Sequence, residues 1–174
     1  MKTIIILAHP NIEHSHINKS WIEALKISNP EIKIHDIYKT YPDWNINAEA
    51  EQKLLEQYDR IILEYPIQWY SMTPLLKKWL DDVFLMGWCY GENGNKLKGK
   101  EIGVAVSTAG VEEAYTDSDN GFGTLEQLLK PVASTVKFVG GKYISYHTLH
   151  GAYQPDVNEK LSENIKQYIR FITQ

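Results

Sequence analysis

Ser15, His16 and Asn18 fall where an apolar run at residues 4–7 ends and apolar residues begin to recur at helical spacing, at Ile17, Trp21, Ile22 and Leu25. A continuous β-branched run suits a strand covered on both faces, and the helix after it opens with unpaired N–H groups at the positive end of its dipole. The junction from His9 to Asn18 is therefore suited to an anion, a phosphate above all. Ser15 can cap the helix and still offer its hydroxyl to a phosphate oxygen; an ordinary helix cap is the plainer alternative.

Two further segments carry unusual residues. PIQWYS, at 66–71, places Ile67 and Gln68 before Trp69 and Tyr70 on a turn. Large aromatics exposed there need something flat to cover them, either a ligand ring or a neighbouring helix or partner copy. STAG, formed by Ser107, Thr108, Ala109 and Gly110, offers small side chains and free backbone N–H groups to a closely approaching ligand. A phosphate pocket at one end and an aromatic platform with main-chain donors at the other describe a phosphorylated planar ring, as in FMN or the flavin half of FAD.

The elements that must bring these segments together alternate strand and helix. Strands are predicted at 4–7, 31–37, 60–65, 102–106 and 142–146, and helices from Ile17 and at 49–58, 73–84, 122–138 and 157–172. Helix 73–84 is well marked: Thr73 stands at the N-cap, Pro74 at the first helical position, and Leu75, Leu76, Trp79, Leu80 and Val83 share a face. The pattern predicts an α/β fold, a doubly wound five-stranded parallel sheet of order 2-1-3-4-5 in three α/β/α layers, within one domain over 1–174. Ligands of such sheets bind beyond the carboxyl ends of the strands, at the switch between strands 1 and 3. That rule selects the same three segments.

Composition excludes several partners. Lys and Arg number 18 against 22 Asp and Glu, a net charge of −4 with no basic run, which argues against nucleic acid. The single cysteine, Cys89, cannot form an intramolecular disulfide and fits a reducing cytosol. No stretch approaches the roughly 20 apolar residues of a membrane-spanning helix, so a cytoplasmic protein is expected. His9, His14 and His16 cluster without a Cys or carboxylate at zinc spacing, and no metal site is expected. There is no G-x-S-x-G, G-x-x-x-x-G-K-[ST] or G-x-G-x-x-G, against a common hydrolase, a nucleotide triphosphatase and a standard dinucleotide dehydrogenase.

The series HPNIEHSHIN, YPDWNI, EYPIQWYSMTPLLKKWLDDVF, GWCYGENG and STAG, in that order over most of the chain, resembles the NAD(P)H:quinone oxidoreductase family of flavodoxin-like flavoproteins. Its short bacterial branch, with the ancillary subunits of glutathione-gated potassium efflux systems and general stress flavoproteins, is the nearest likeness. The resemblance implies a homodimer in which flavin takes hydride from NAD(P)H and passes two electrons to a quinone by a ping-pong cycle. It places the phosphate loop on His9, Ser15, His16, Ile17 and Asn18, the ring-binding turn on Ile67, Gln68, Trp69 and Tyr70, and the loop at the polar ring edge on Ser107, Thr108, Ala109 and Gly110. Tyr115 matches a tyrosine that settles charge on the reduced ring. The chain lacks the C-terminal extension of longer, FAD-binding members, which favours FMN, with FAD as the alternative. A regulatory role beside a potassium efflux transporter at the inner membrane face and a flavodoxin-like carrier role are the competing readings.

The chain also departs from that pattern. Ala109 stands where family members often have glycine, and a histidine that they often place after the tyrosine falls on Gly121. A Tyr-His proton relay is therefore in question, and Asp117 and Asp119 are the nearby substitutes.

Overall fold

Residues Ile4 to Leu7 leave no polar face for water, so β1 (Thr3–Leu7) is buried on both sides. It is an inner strand of the sheet in the computed structural model, which describes residues 1–174. β1 is followed by α1 (Ile17–Ser28), β2 (Lys33–Asp36), a one-turn α2 (Ile37–Thr40) and α3 (Ala48–Glu56). Then come β3 (Arg60–Pro66), α4 (Pro74–Val83), β4 (Glu101–Ser107), α5 (Leu125–Phe138), β5 (Lys142–Leu149) and α6 (Val157–Thr173). The five strands are parallel in the order β2-β1-β3-β4-β5, as the sequence predicts.

Side chains alternate across the strands, and each face has its own core. Ile4, Ile6, Ile61 and Leu63 point to the α3, α4 and α5 side with Leu75, Trp79 and Leu129, in a cluster of 25 buried residues. Ile5, Leu7 and Ile62 point to α1 and α6, with Trp21, Leu25 and Tyr168, in a cluster of 13. Each fully buried aliphatic side chain in these layers contributes about 1.5–3 kcal/mol. At the amino-terminal end of the sheet the buried Arg60 donates to Glu101 Oε2 at 2.6 and 2.9 Å and to the Ile172 carbonyl at 3.1 Å, fastening the last turn of α6 to β3.

The structure differs from the sequence reading at several element ends. β5 continues past Tyr146 to Leu149 through His147 and Thr148, whose polar side chains hide the strand from an apolar pattern although His147 is buried. α5 starts at Leu125 because Thr124 and Gln127 form a reciprocal capping box. Thr73 does occupy the N-cap of α4, but its hydroxyl does not cap. It is fully buried and donates instead to the Ala8 carbonyl at 3.0 Å, tying α4 to the end of β1.

Candidate active site

The carboxyl ends of β1, β3 and β4 open into one cavity of about 530 Å³. Its wall includes His9, Ser15, His16 and Ile17 from the first loop, Ile67 and Gln68 from the second, and Ser107, Thr108 and Ala109 from the third. A smaller hollow of about 200 Å³, lined by Ile67, Trp69, Tyr70, Ala109, Gly110, Tyr115 and Phe122, adjoins it. Asn18 lines neither; it lies beneath the first loop, fully buried. A groove of about 690 Å³ between α1 and β2 is larger, but its charges are mixed and partly paired, as with Lys19 and Glu13. The smaller cavity is the one that gathers free main-chain donors.

Those donors follow from local geometry. Ser15 has an extended backbone, and its Oγ accepts the Asn18 N–H at 3.2 Å, which is the capping geometry that the sequence allows. The His16 and Ile17 N–H groups then have no partner in the protein. At the other end, where the cavity meets the smaller hollow, the Ala109 and Gly110 N–H groups are also unpartnered. An anion fits the first pair and the polar edge of a ring fits the second.

Between them stands a strained turn. Gln68 and Ser71 exchange backbone hydrogen bonds at 2.9 and 3.0 Å, so Trp69 and Tyr70 are the two central residues of a tight hairpin. Both have positive φ, 47° and 63°. Bulky side chains rarely adopt that conformation, which costs about 1–3 kcal/mol at each residue. The turn leaves Trp69 90% exposed, while Tyr70 leans on Phe122 with ring centroids 5.4 Å apart. Strain that holds an indole in water is the kind of arrangement found at ligand clamps.

The loop after β4 is fixed from the side of β5. The Gly151 N–H donates to the Gly110 carbonyl at 2.8 Å and the Ala152 N–H to the Thr108 carbonyl at 2.9 Å. Thr108 Oγ1 donates to the Gly110 carbonyl at 2.8 Å and lies 3.0 Å from His150 Nδ1. The Tyr115 ring lies against Gly110, where a side chain would meet it at 3.2 Å, and against the His150 ring at 4.9 Å between centroids. The sequence does not single out His150, or Tyr153 on the cavity wall; the end of β5 is the only signal, and the strand pattern stops at 146 whereas β5 runs to Leu149. Burial holds His150 below the ordinary histidine pKa, against the pull of Glu112 and Glu113.

The remaining candidates separate. His9 Nδ1 accepts the Asn11 N–H, His14 pairs with Asn11 Oδ1, and His16 with Asn158 Oδ1 of α6 at 2.6 Å. Burial also lowers the His9 pKa, against Asp36. No group of three or more His, Cys, Asp or Glu is placed to hold a metal. Cys89 is buried, its Sγ directed at the Leu85 carbonyl, and burial pushes its thiol up to about 11.

A family profile described as the flavodoxin-like fold matches residues 1–172. The chain belongs to this family. It is 39% identical over 173 residues to an uncharacterised NAD(P)H oxidoreductase of Bacillus subtilis, YdeQ, covering 99% of this chain and 87% of that protein. A glutathione-regulated potassium-efflux system ancillary protein of Enterobacter sp. is 39% identical over 167 residues, 95% of this chain and 92% of that one. Among solved structures, general stress protein 14 of Treponema denticola in complex with FMN superposes with a TM-score of 0.91, at 35% identity over 99% and 98% of the two chains. An NADPH-quinone reductase of P. pentosaceus gives 0.88, at 30% identity over 100% and 99%. A structure described as a tryptophan halogenase gives 0.93, at 40% identity over 98% of both chains.

Proposed function

We propose that the chain is an FMN-dependent NAD(P)H oxidoreductase that hands two electrons to a quinone. One observation carries the reading: a cavity and the hollow adjoining it run from unpartnered N–H groups at a helix start to unpartnered N–H groups on a second loop, with an exposed indole at the hollow's edge. Its volume is within the range of small-molecule pockets. FMN fits those features end to end, and a solved relative is an FMN complex. When bound, the flavin supplies the hydride and electron chemistry.

The chain's own residues bind and orient. The His9 to Ile17 turn holds the phosphate through Ser15 Oγ and the His16 and Ile17 N–H groups. Ile67, Gln68, Trp69 and Tyr70 frame the ring, and the Ala109 and Gly110 N–H groups meet its pyrimidine edge, where negative charge grows on reduction. Tyr115 sits beside that edge, backed by His150 and Thr108, so its hydroxyl is placed to settle the charge. No helix is long and apolar enough to cross a membrane. A homodimer in which the partner covers Trp69 accounts for the bare indole, with nicotinamide and quinone taking turns at the open ring face. A ping-pong cycle follows from that shared face.

The named relatives support the donor and acceptor classes, namely an NAD(P)H oxidoreductase and an NADPH-quinone reductase. The efflux-system ancillary relative favours a compatible second role, in which the same flavoprotein docks on a transporter. The deciding experiment is an anaerobic titration of flavin-loaded protein with NADPH, then NADH, then menadione, followed by visible absorption. Bleaching by the donor and recovery with menadione are expected; flavin that stays oxidised would overturn the enzymatic reading.

A further inference from the structure

Glu64 is left without a task by the reading above. It lies on β3 with no exposed surface, flanked in register by Leu7 of β1 and Ala105 of β4. From α6 the Tyr168 hydroxyl donates to Glu64 Oε2 at 2.6 Å, and from α1 Asn18 Nδ2 donates to Oε1 at 3.3 Å. Asn18 then reaches both ends of the cavity: its Oδ1 accepts the Ser107 hydroxyl at 2.6 Å and its backbone N–H goes to Ser15 Oγ. One residue, its side chain held by Glu64, thus connects the phosphate turn to the ring-edge loop.

No cation offsets this carboxyl. The titratable groups toward it are Tyr168 and, beyond the Tyr168 ring at 5.6 Å, His147 on β5, itself held below the ordinary histidine range by burial. Burial pushes Glu64 up to about 8, against the pull of the Tyr168 and Asn18 hydrogen bonds. Protonated, Glu64 keeps the short contact to Tyr168 with the donor reversed and the phenol O–H turned away, since a phenol oxygen accepts as well as donates.

We propose that Glu64 is a positioning residue acting on the flavin phosphate through Asn18: neutral, it lets the Ser15–Asn18 turn receive a dianion, and ionised, it sets a buried negative charge beneath that turn. The proposal rests on the reading of this turn as the phosphate site. Phosphate binding then favours the protonated carboxyl, and binding above pH 8 takes up a proton from solution.

FMN and riboflavin share the ring and differ in the phosphate, so their titrations by fluorescence quenching between pH 6 and 9 separate the two claims. Wild-type affinity for FMN should fall about fivefold from pH 7 to 9, as one pKa unit of coupling at a carboxyl titrating near 8 requires, while riboflavin affinity stays level. Glu64→Gln should remove the fall. His9, His14 and His16 are present in both proteins and contribute equally to both profiles. An identical fall in Glu64→Gln, or one shared by riboflavin, would overturn the proposal. FMN binding no tighter than riboflavin at any pH would instead overturn the phosphate site itself. A purely structural glutamate would change affinity without changing the profile. If the variant does not fold, calorimetry of the wild type at pH 8.5 in two buffers of different ionisation heat decides: proton uptake with FMN and none with riboflavin supports the proposal, and no uptake with either refutes it.

Discussion

Two glutamates, Glu51 and Glu64, are buried in this protein, on opposite sides of the sheet, and their surroundings give them opposite charge states. Glu51, on α3, accepts from His35 Nε2 at 2.9 Å, from the Tyr41 hydroxyl at 2.6 Å and from Trp79 Nε1 at 2.7 Å. Burial pushes its pKa up, but these bonds outweigh burial and hold it below the ordinary value. Glu64 has only a phenol and an amide, burial wins, and the carboxyl is held up to about 8. The contrast teaches that burial raises both carboxyls and that the donors and the neighbouring His35 around Glu51 reverse it. Away from the cavity, three donors close around Glu51; beneath it, Glu64 has one donor at each oxygen and no cation, and the site inherits a titration.

The largest expected effect breaks the satisfied side. Glu51→Ala strands donors from three elements and should cost about 4 kcal/mol in a denaturant titration, as when one partner of a buried pair is removed. A loss within 1 kcal/mol, roughly the worth of one net hydrogen bond, would show that the donors find other partners. The next concerns pH. Glu51 has a lowered pKa, so its contribution is present above the ordinary carboxylate range and lost as pH falls. Glu64 has a raised one, so its contribution is present below that range and lost as pH rises toward 8. Wild type should therefore lose stability relative to Glu64→Gln by about 1.4 kcal/mol per pH unit between roughly pH 5 and 8. Parallel pH profiles would mean that Glu64 is ionised in the fold.

Two smaller effects sharpen the contrast within the site. Tyr115→Phe should slow reduction by NAD(P)H about tenfold with flavin still bound, a modest value for one donor at a developing charge. Equal stopped-flow rates would remove the hydroxyl from the chemistry. Trp69→Gly relieves a left-handed indole and should raise stability by about 1 kcal/mol while weakening FMN retention. Raised stability with unchanged retention would assign the strain to something other than the ring.

The sequence made the strand order and the three loops legible because each rests on a strong local signal: unbroken apolar runs, a Thr-Pro helix start, and turns that follow them. Asn18 was legible as a loop residue but not as a buried one, since its partners lie far along the chain, at Glu64 and Ser107. The short α2 and the length of β5 were hidden by weak or polar patterns. The left-handed Trp69 and Tyr70 could not be read at all, because propensity argues against aromatics there. His150 was found only through its contacts.

The last helix touches three depths of the molecule. Asn158 meets His16 at the phosphate turn, Tyr168 meets Glu64 mid-sheet, and the Ile172 carbonyl meets Arg60 at the far end. Local opening of α6 would therefore release the turn, the buried acid and the sheet floor together. Amide exchange in α1 and α6 should be cooperative, slowing in both helices when a ligand holds the turn, although the cavity reaches only the first residue of α1 and none of α6.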